Sequence, residues 1–381
     1  MTSRNVVIAG YVRSPFTPAG KGALARVRPD DLAAAVVREL VRRTGVAPAA
    51  IEDLIVGCAF PEGEQGLNVA RTIGLLAGLP VTAAATTVNR YCGSSMQAIH
   101  QAAGAIRWDA GEAFICCGIE SMTRVPVMGF NPMPNPTLAR DWPDAYQSMG
   151  CTAEALARCY GISRLAQEEF AVASQRKAAA AQTEGRFDDE MVSVTDPKGV
   201  QVTADGCIRP ETTLETLAAL KPAFDATGTV TAGTSSPLTD GAAAVLVTSE
   251  DYARAHGLPL LARLRAFAVV GCEPGMMGIG PVPATRKALA RAGLTLADID
   301  VIELNEAFAA QSLACIRDLE LDPARINLDG GAIALGHPLG ATGARITGKA
   351  AALLKRDGKQ FALATQCIGG GQGIATILEA V

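Results

Sequence analysis

One stretch of this chain occurs twice in altered form. Gly45-Val46-Ala47-Pro48-Ala49-Ala50-Ile51-Glu52-Asp53-Leu54-Ile55 follows a helical run and leads into a strand, and Gly293-Leu294-Thr295-Leu296-Ala297-Asp298-Ile299-Asp300-Val301-Ile302 does the same far downstream. A second echo, in the same order, pairs Ile115-Cys116-Cys117-Gly118 with Ala364-Thr365-Gln366-Cys367-Ile368-Gly369. Echoes that keep their order mark a duplicated supersecondary unit, and such units bury their apolar faces against one another. The 381 residues also exceed the ~250–300 at which a single core stops growing. Two similar α/β halves facing each other are expected, with a site at their seam.

Short β-rich runs alternate with amphipathic stretches, the pattern of crossover helices packed on sheets. Strands are predicted at 53–59, 86–91, 113–117, 262–270, 301–304 and 360–365. Apolar residues at helical spacing predict helices over 31–43, 68–77, 94–105, 164–183 and 306–319. Between the halves the chain changes character: 125–143 is Pro-rich, two polar helices follow, then Gly- and Thr-rich segments. Long loops inside compact domains are usually functional, so 121–248 is read as an inserted loop domain covering a cleft, although an ordinary surface loop region fits the same pattern. The N-terminal half is then 1–120, completed by about 249–270, and the C-terminal half is 271–381.

Composition narrows the function. With 49% hydrophobic and 19% charged residues the chain is neither disordered nor fibrous. A formal charge of -4 excludes the broad basic surface that nucleic acid requires. The opening Met1-Thr2-Ser3-Arg4-Asn5 runs into strand-like Val6-Val7-Ile8-Ala9-Gly10 without the zones of a signal peptide, and no apolar run reaches the ~20 residues that span a bilayer. A cytoplasmic location is the expectation. The ten cysteines lack paired metal-type spacing and read as reduced thiols, most of them small buried apolar residues.

A few residues carry candidate chemistry. Val88-Asn89-Arg90-Tyr91-Cys92-Gly93-Ser94-Ser95-Met96-Gln97 puts Cys92 after a strand and before a helix, where amide groups and the helix dipole favour a thiolate and lower the thiol pKa. A buried structural cysteine fits the same spacing. Of the three histidines, His256 sits at a probable helix end and reads as structural. His100 lies eight residues past Cys92 on one helix, ~12 Å along its axis, too far to be its base. His337, in Gly330-Gly331-Ala332-Ile333-Ala334-Leu335-Gly336-His337-Pro338-Leu339-Gly340, is held in a glycine-rich turn that suits an imidazole aimed at a thiol or a carbonyl oxygen. Gln366-Cys367-Ile368-Gly369-Gly370-Gly371-Gln372-Gly373 sets a second cysteine beside backbone that glycines leave open to a ligand, or forms a tight hairpin turn. Asn305, in Asn305-Glu306-Ala307-Phe308, follows a strand and would also make a good helix N-cap.

The Cys92 segment, Asn305-Glu306-Ala307-Phe308, Gly336-His337-Pro338 and Cys367-Ile368-Gly369-Gly370-Gly371 occur together in the order and approximate spacing of the thiolase family, which the chain resembles from its first strand to its last residues. Asn89-Arg90-Tyr91-Cys92-Gly93-Ser94-Ser95-Met96 and Ile208-Arg209-Pro210-Glu211-Thr212-Thr213 look especially like bacterial fatty-acid β-oxidation thiolases. The resemblance implies an α/β duplicated βαβαβαββ thiolase fold with an inserted loop domain, as a homodimer or dimer of dimers. It implies coenzyme A (CoA) as co-substrate, no tightly bound cofactor and no metal. Cys92 would attack a 3-keto thioester, His337 would activate Cys92 and, with a water held by Asn305, stabilise the enolate, and Cys367 would move the proton. The backbone N–H groups of Cys92 and Gly369 would hold the oxyanion. Arg209 would lie near the nucleotide end of CoA, with Ser236, Met149 and Phe308 along the pantetheine. The chain departs from many relatives at Thr234-Ser235-Ser236-Pro237, where a glycine often follows the serine, and at Gln372, often methionine. The β-oxidation likeness also implies docking with a hydratase-dehydrogenase subunit.

Three other readings fit less well. A 3-ketoacyl synthase pairs its cysteine with two histidines, and Asn305 fills one of those places here. A non-catalytic thiolase-like lipid-binding protein would be expected to lose a reactive residue. A dehydrogenase needs a glycine fingerprint after an early strand, where this chain has Gly10-Tyr11-Val12-Arg13-Ser14-Pro15. Degradative 3-ketoacyl-CoA cleavage is favoured over acetoacetyl-CoA synthesis.

Overall fold

The computed structural model describes residues 4–381; Met1–Ser3, on which the reading of the chain's start partly rests, lie outside the described residues. Its main strands are β1 (Val6–Arg13), β2 (Ile51–Gly57), β3 (Ala84–Val88), β4 (Ala113–Ser121), β5 (Thr239–Ser249), β6 (Ala262–Gly271), β7 (Val301–Leu304), β8 (Phe361–Ile368) and β9 (Gln372–Glu379). They run in the order β7-β8-β9-β6-β1-β5-β4-β2-β3, and the two-residue strand Thr17–Pro18 pairs with β5. The main helices are α1 (Pro29–Thr44), α2 (Val69–Ala77), α3 (Ser94–Arg107), α4 (Met149–Cys159), α5 (Arg164–Thr183), α6 (Pro281–Ala292), α7 (Ala309–Leu319) and α8 (Leu339–Asp357).

The echoes in sequence are echoes in topology. Helices α1 and α6 both end on a left-handed glycine, Gly45 (φ 72°) and Gly293 (φ 69°), then make a single 3₁₀ turn and enter β2 or β7. Glycine suits this cap because a Cβ there would crowd the backbone. In the first half β2 runs parallel to β4, β4 antiparallel to β5, and β5 antiparallel to β1. In the second β7 runs parallel to β8, β8 antiparallel to β9, and β9 antiparallel to β6. Only a bridge between Ile302 and Ile326 stands where β3 pairs with β2. The halves join through two residue pairs, Val7 with Arg263 and Ile8 with Ala262. The strand beside both β4 and β1 is β5, from the end of 121–248, whereas β6, from 249–270, pairs along its length with β9.

Alternation along the strands builds three cores. Val7, Leu54, Val56, Ile115 and Leu246 face α1 and α2. Their neighbours Ile8, Ile55, Phe114, Cys116 and Val245 face the other way, onto α3 and α8, in a cluster that also takes in Val301, Ala364, Ile374 and Leu378 of the second half. Ile302, Leu363, Ala375 and Ile377 pack outward against α6 and α7. Helices α3 and α8 are thus sandwiched between the halves. Met96, Ile99, Ala103 and Ile106 repeat at three- and four-residue spacing on the buried side of α3.

Glycines let these two helices press close. A Cβ on Gly57 would stand 2.3 Å from the Ser95 nitrogen, one on Gly118 2.2 Å from the Gly340 oxygen, and one on Gly343 2.3 Å from the Met96 nitrogen. The starts of α3 and α8 therefore rest on the C-terminal ends of β2 and β4 and on each other. Cys92 and His337, each two residues ahead of one of these helices, come to the same end of the fold, where α/β sheets place ligands.

Several predicted boundaries moved, the strand expected over 53–59 running Ile51–Gly57 for example, and two of the shifts lie beside the candidate site. The strand expected over 86–91 stops at Val88, because Tyr91 turns to φ 44° and the chain bends before α3. The helix expected from 306 begins at Ala309, with Phe308 extended as its N-cap, so Asn305 does not cap it.

Two substitutions test the helix contact. Gly118→Ala should destabilise the fold by about 1–3 kcal/mol or more, since its methyl meets backbone. Gly104→Ala, within α3 and with open space around the added methyl, should stabilise by about 0.5–1 kcal/mol. Denaturation midpoints read both; an unchanged midpoint for Gly118→Ala would show slack at the seam.

Candidate active site

The turn carrying Cys92 is fixed by its neighbours. Asn89 Oδ1 accepts from the Tyr91 N–H at 2.8 Å, while Asn89 Nδ2 donates to the Ala59 carbonyl at 2.9 Å. Ser94 Oγ accepts from the Arg90 N–H and donates to the Tyr91 carbonyl. With Tyr91 left-handed, this network holds a non-glycine residue in a costly conformation immediately before Cys92, as functional turns often do. Cys92 is partly buried. The N–H of Gly369, from the turn between β8 and β9, and the N–H of Cys92 itself approach its sulfur. Gln366 donates to the Cys92 carbonyl, closing the link between the halves.

His337 is buried and held on three sides. Its backbone N–H donates to Thr239 Oγ1 at 3.0 Å, its Nδ1 meets Thr342 Oγ1 at 2.6 Å, and its Nε2 lies 3.4 Å from Asn305 Nδ2. The Thr342 hydroxyl gives its own proton to the Pro338 carbonyl, so it accepts from Nδ1 and leaves Nε2 unprotonated, an acceptor for the Asn305 amide. Asn305 Oδ1 is buried with no protein partner. Glu306 braces the loop: its carboxylate accepts from Ser174 (2.6 Å), Asn327 (2.7 Å) and the Ile333 N–H (3.2 Å).

Cys367 is buried at the end of β8 in an apolar cluster with Ala307, Phe308 and Met149, and burial pushes its thiol up, with the nearby Cys92 sulfur adding to the rise. Met149 Sδ lies 3.5 Å from where a Cβ on Gly369 would stand. Ser236 donates its hydroxyl to the Ala307 carbonyl at 3.0 Å. Cys92, Gly369, Met149, Cys367, Phe308, Ser236, Asn305 and His337 therefore form one continuous neighbourhood. Arg209 is tied in only through its backbone, whose N–H donates to Gln175; its side chain is exposed.

Electrostatics corrects one expectation. The Cys92 thiol was expected to be acidified by the helix start, yet burial pushes it up to about 11 against the pull of the two N–H groups. Burial, helped by the Arg345 charge, pushes His337 down to about 3. At neutral pH the pair therefore rests as thiol and imidazole, and ionisation must accompany reaction.

The remaining histidines are structural. His100 stacks on Phe267 at 4.1 Å with Nε2 2.8 Å from Thr376 Oγ1, pinning α3 to the second half. His256 ends the short helix Glu250–Ala255 and stacks on Tyr252. Thr342, Gln366 and Glu120 were not singled out from sequence. Thr342 had the clearest signal, a hydroxyl five residues after His337 in the first turn of a helix. Glu120, buried, accepts from the N–H groups of Ala59 and Gly340 and fastens the start of α8. Among the described residues, no His, Cys, Asp and Glu cluster has the arrangement of a metal site, and no helix is long and apolar enough to cross a membrane.

Family models for the thiolase N-terminal and C-terminal domains match residues 6–251 and 258–380. The chain belongs to the thiolase family. The duplicated fold expected from the resemblance is the one observed. Relatives include the 3-ketoacyl-CoA thiolase of Shewanella denitrificans, 52% identical over 99% of this chain and 100% of that protein. That of Bacillus subtilis is 49% identical over 99% of each. Human mitochondrial 3-ketoacyl-CoA thiolase superposes with a TM-score of 0.92 at 38% identity, covering 100% of both chains; its complex with CoA gives 0.92 at 39%, covering 99% of this chain and 98% of that one. The Bacillus anthracis acetyl-CoA acetyltransferase gives 0.92 at 40%, covering 100% of this chain and 99% of that one.

A neutral thiol in this thiolase makes a kinetic prediction. Alkylation of Cys92 by iodoacetamide should rise about tenfold per pH unit from pH 7 with no plateau below about pH 10, because the thiolate is the reactive form. A plateau near pH 7, read by peptide mass spectrometry, would mean that the helix start outweighs burial.

Proposed function

We propose that this chain cleaves 3-ketoacyl-CoA with CoA, releasing acetyl-CoA and an acyl-CoA two carbons shorter, through an acyl-enzyme on Cys92. The observation that carries the reading is the neighbourhood at the seam: a thiol faced by two N–H donors, a second thiol beside it, and a neutral imidazole whose Nε2 carries no proton. In this proposal His337 takes the Cys92 proton as sulfur attacks the 3-keto carbon, which makes ionisation part of the step rather than a cost paid at rest. The oxyanion that forms is held by the Cys92 and Gly369 N–H groups. As its carbonyl reforms, the bond between C2 and C3 breaks, leaving the acyl group on Cys92 and acetyl-CoA enolate. His337 and a water on Asn305 stabilise that enolate, and Cys367 protonates it to acetyl-CoA. Incoming CoA then gives its thiol proton to the Cys367 thiolate and takes the acyl group, and the proton held on His337 returns to the Cys92 sulfur.

The same proposal places CoA along Met149, Phe308 and Ser236, with Arg209 toward its nucleotide. Ser236 already uses its hydroxyl on Ala307, so its backbone and shape are the better candidates for contact. The divisions 1–120, 121–248 and 271–381 belong to this reading, with β5 closing the first half. So do a homodimer or dimer of dimers, a cytoplasmic setting in β-oxidation, and docking to a hydratase-dehydrogenase subunit. A second reading, condensation of two acetyl-CoA to acetoacetyl-CoA, is favoured by the likeness to the Bacillus anthracis acetyltransferase.

The test is CoA-dependent cleavage of 3-ketoacyl-CoAs from four carbons upward, followed by loss of the keto thioester. Turnover of longer chains is expected; activity confined to four carbons would favour the second reading, and none at any length would exclude both. Cys92→Ser should leave no thiolysis, whereas Cys367→Ala should lose about 10²- to 10⁴-fold as a positioned acid is removed.

A further inference from the structure

Two residues outside the proposed chemistry cross-link its supports. Arg345 and Glu303 are both buried, and Arg345 Nη1 meets Glu303 Oε2 at 2.7 Å. Glu303 lies on β7 two residues before Asn305, so the two side chains leave the same face of the chain. Arg345 lies on α8 three residues after Thr342, which puts them on one helix face, and Thr342 holds His337 Nδ1. The strand and the helix are therefore joined twice side by side, once by the ion pair and once by the 3.4 Å approach of Asn305 to His337. The pair is also poorly satisfied: Glu303 Oε1 and Arg345 Nε and Nη2 are buried without a protein partner. A buried ion pair is a weak source of stability, and unmet polar atoms make it weaker, so a contribution to the site explains its presence better than a contribution to the fold.

We propose that the Glu303–Arg345 pair is a positioning element, which sets the spacing of His337 from Asn305 and places the guanidinium so that His337 remains a neutral base. The proposal rests on the reading of His337 as the base. The charged and titratable groups around the ring come from several elements. Arg345 is on α8, Glu303 and Glu306 are at the end of β7, and Cys207 of the inserted stretch lies 3.2 Å from where a Cβ on Gly336 would stand. Behind the pair are Lys349, Asp329 and Glu190. Of these, Arg345 is the charge that adds to burial in holding the imidazole unprotonated. Burial pushes the Glu303 carboxyl up while Arg345 and Lys349 pull it back, so acidification neutralises Glu303 first and leaves the guanidinium opposing a proton on His337 more strongly.

With only three histidines, ring ¹⁵N spectra of the intact protein resolve each one, and a His337→Asn spectrum assigns the signal. Arg345→Met removes the cation and leaves a carboxylate, so the His337 ring should titrate at higher pH. Glu303→Gln leaves the cation uncompensated, so the ring should stay neutral at least as far down as in the parent. A difference of at least one pH unit between the two variants is expected, with the acid limb of kcat/KM displaced likewise. Both variants break the same ion pair, so a merely structural role would move them together, and equal ring titrations would overturn the proposal. Should either single variant fail to fold, Glu303→Leu with Arg345→Met removes both charges and leaves none buried alone. That double variant should lose at least tenfold in kcat with KM for CoA within threefold, and parental kcat would overturn the proposal. The ring titration needs no substrate, so a protein that forms no acyl-Cys92 would fail the catalytic reading without deciding this one.

Discussion

At the seam of this molecule, backbone touches backbone. Gly57 at the end of β2 and Gly118 near the end of β4 stand against the first turns of α3 and α8, and Gly343 lets the two helices meet, all at distances that exclude a Cβ. The candidate site depends on that contact, because neither half holds all of the proposed catalytic residues by itself. Cys92 enters from the first half and His337, Asn305 and Cys367 from the second, and they share a neighbourhood only while α3 and α8 share one core. Buried charge adds a second tie. Arg13 of β1 binds Asp205 and Glu190 of the inserted stretch, and Lys349 of α8 binds Glu190 and Asp329, so the insertion is anchored to both halves.

The same enclosure sets the protonation states. A helix start is an attractive place for a thiolate, but its effect at a partly buried site is worth at most about 2 kcal/mol, whereas burial can move a pKa by several units. Burial prevails at Cys92 and at His337, and both rest uncharged, with Nε2 unprotonated. In the proposed reaction, groups that rest uncharged would favour charge only where the transition state develops it, against N–H groups already in place, which is the distribution of binding that accelerates a reaction.

Much of this was legible in the sequence. The Gly45 and Gly293 segments foretold the duplication because a left-handed glycine cap, a short turn and a strand leave a recognisable pattern. The strand at 301–304 and the helix at 164–183 fell where alternation and periodicity placed them. The errors came from effects that local pattern does not carry. The helix was expected from 306, but it starts only at Ala309, with Glu306 drawn inward by Ser174, Asn327 and Ile333. The rise in the Cys92 pKa comes from side chains far apart in sequence. Thr342 and Gln366 act on His337 and Cys92 through contacts that only the folded chain creates.

The central claim is that Cys92, not Cys367, carries the acyl group at the seam. Its direct measurement is to incubate the protein with an isotopically labelled acyl-CoA, quench in acid, and locate the label by peptide mapping. One label per active chain on the peptide containing Cys92 is the predicted result. Label on the Cys367 peptide, or no covalent label while 3-ketoacyl-CoA cleavage continues, would contradict it.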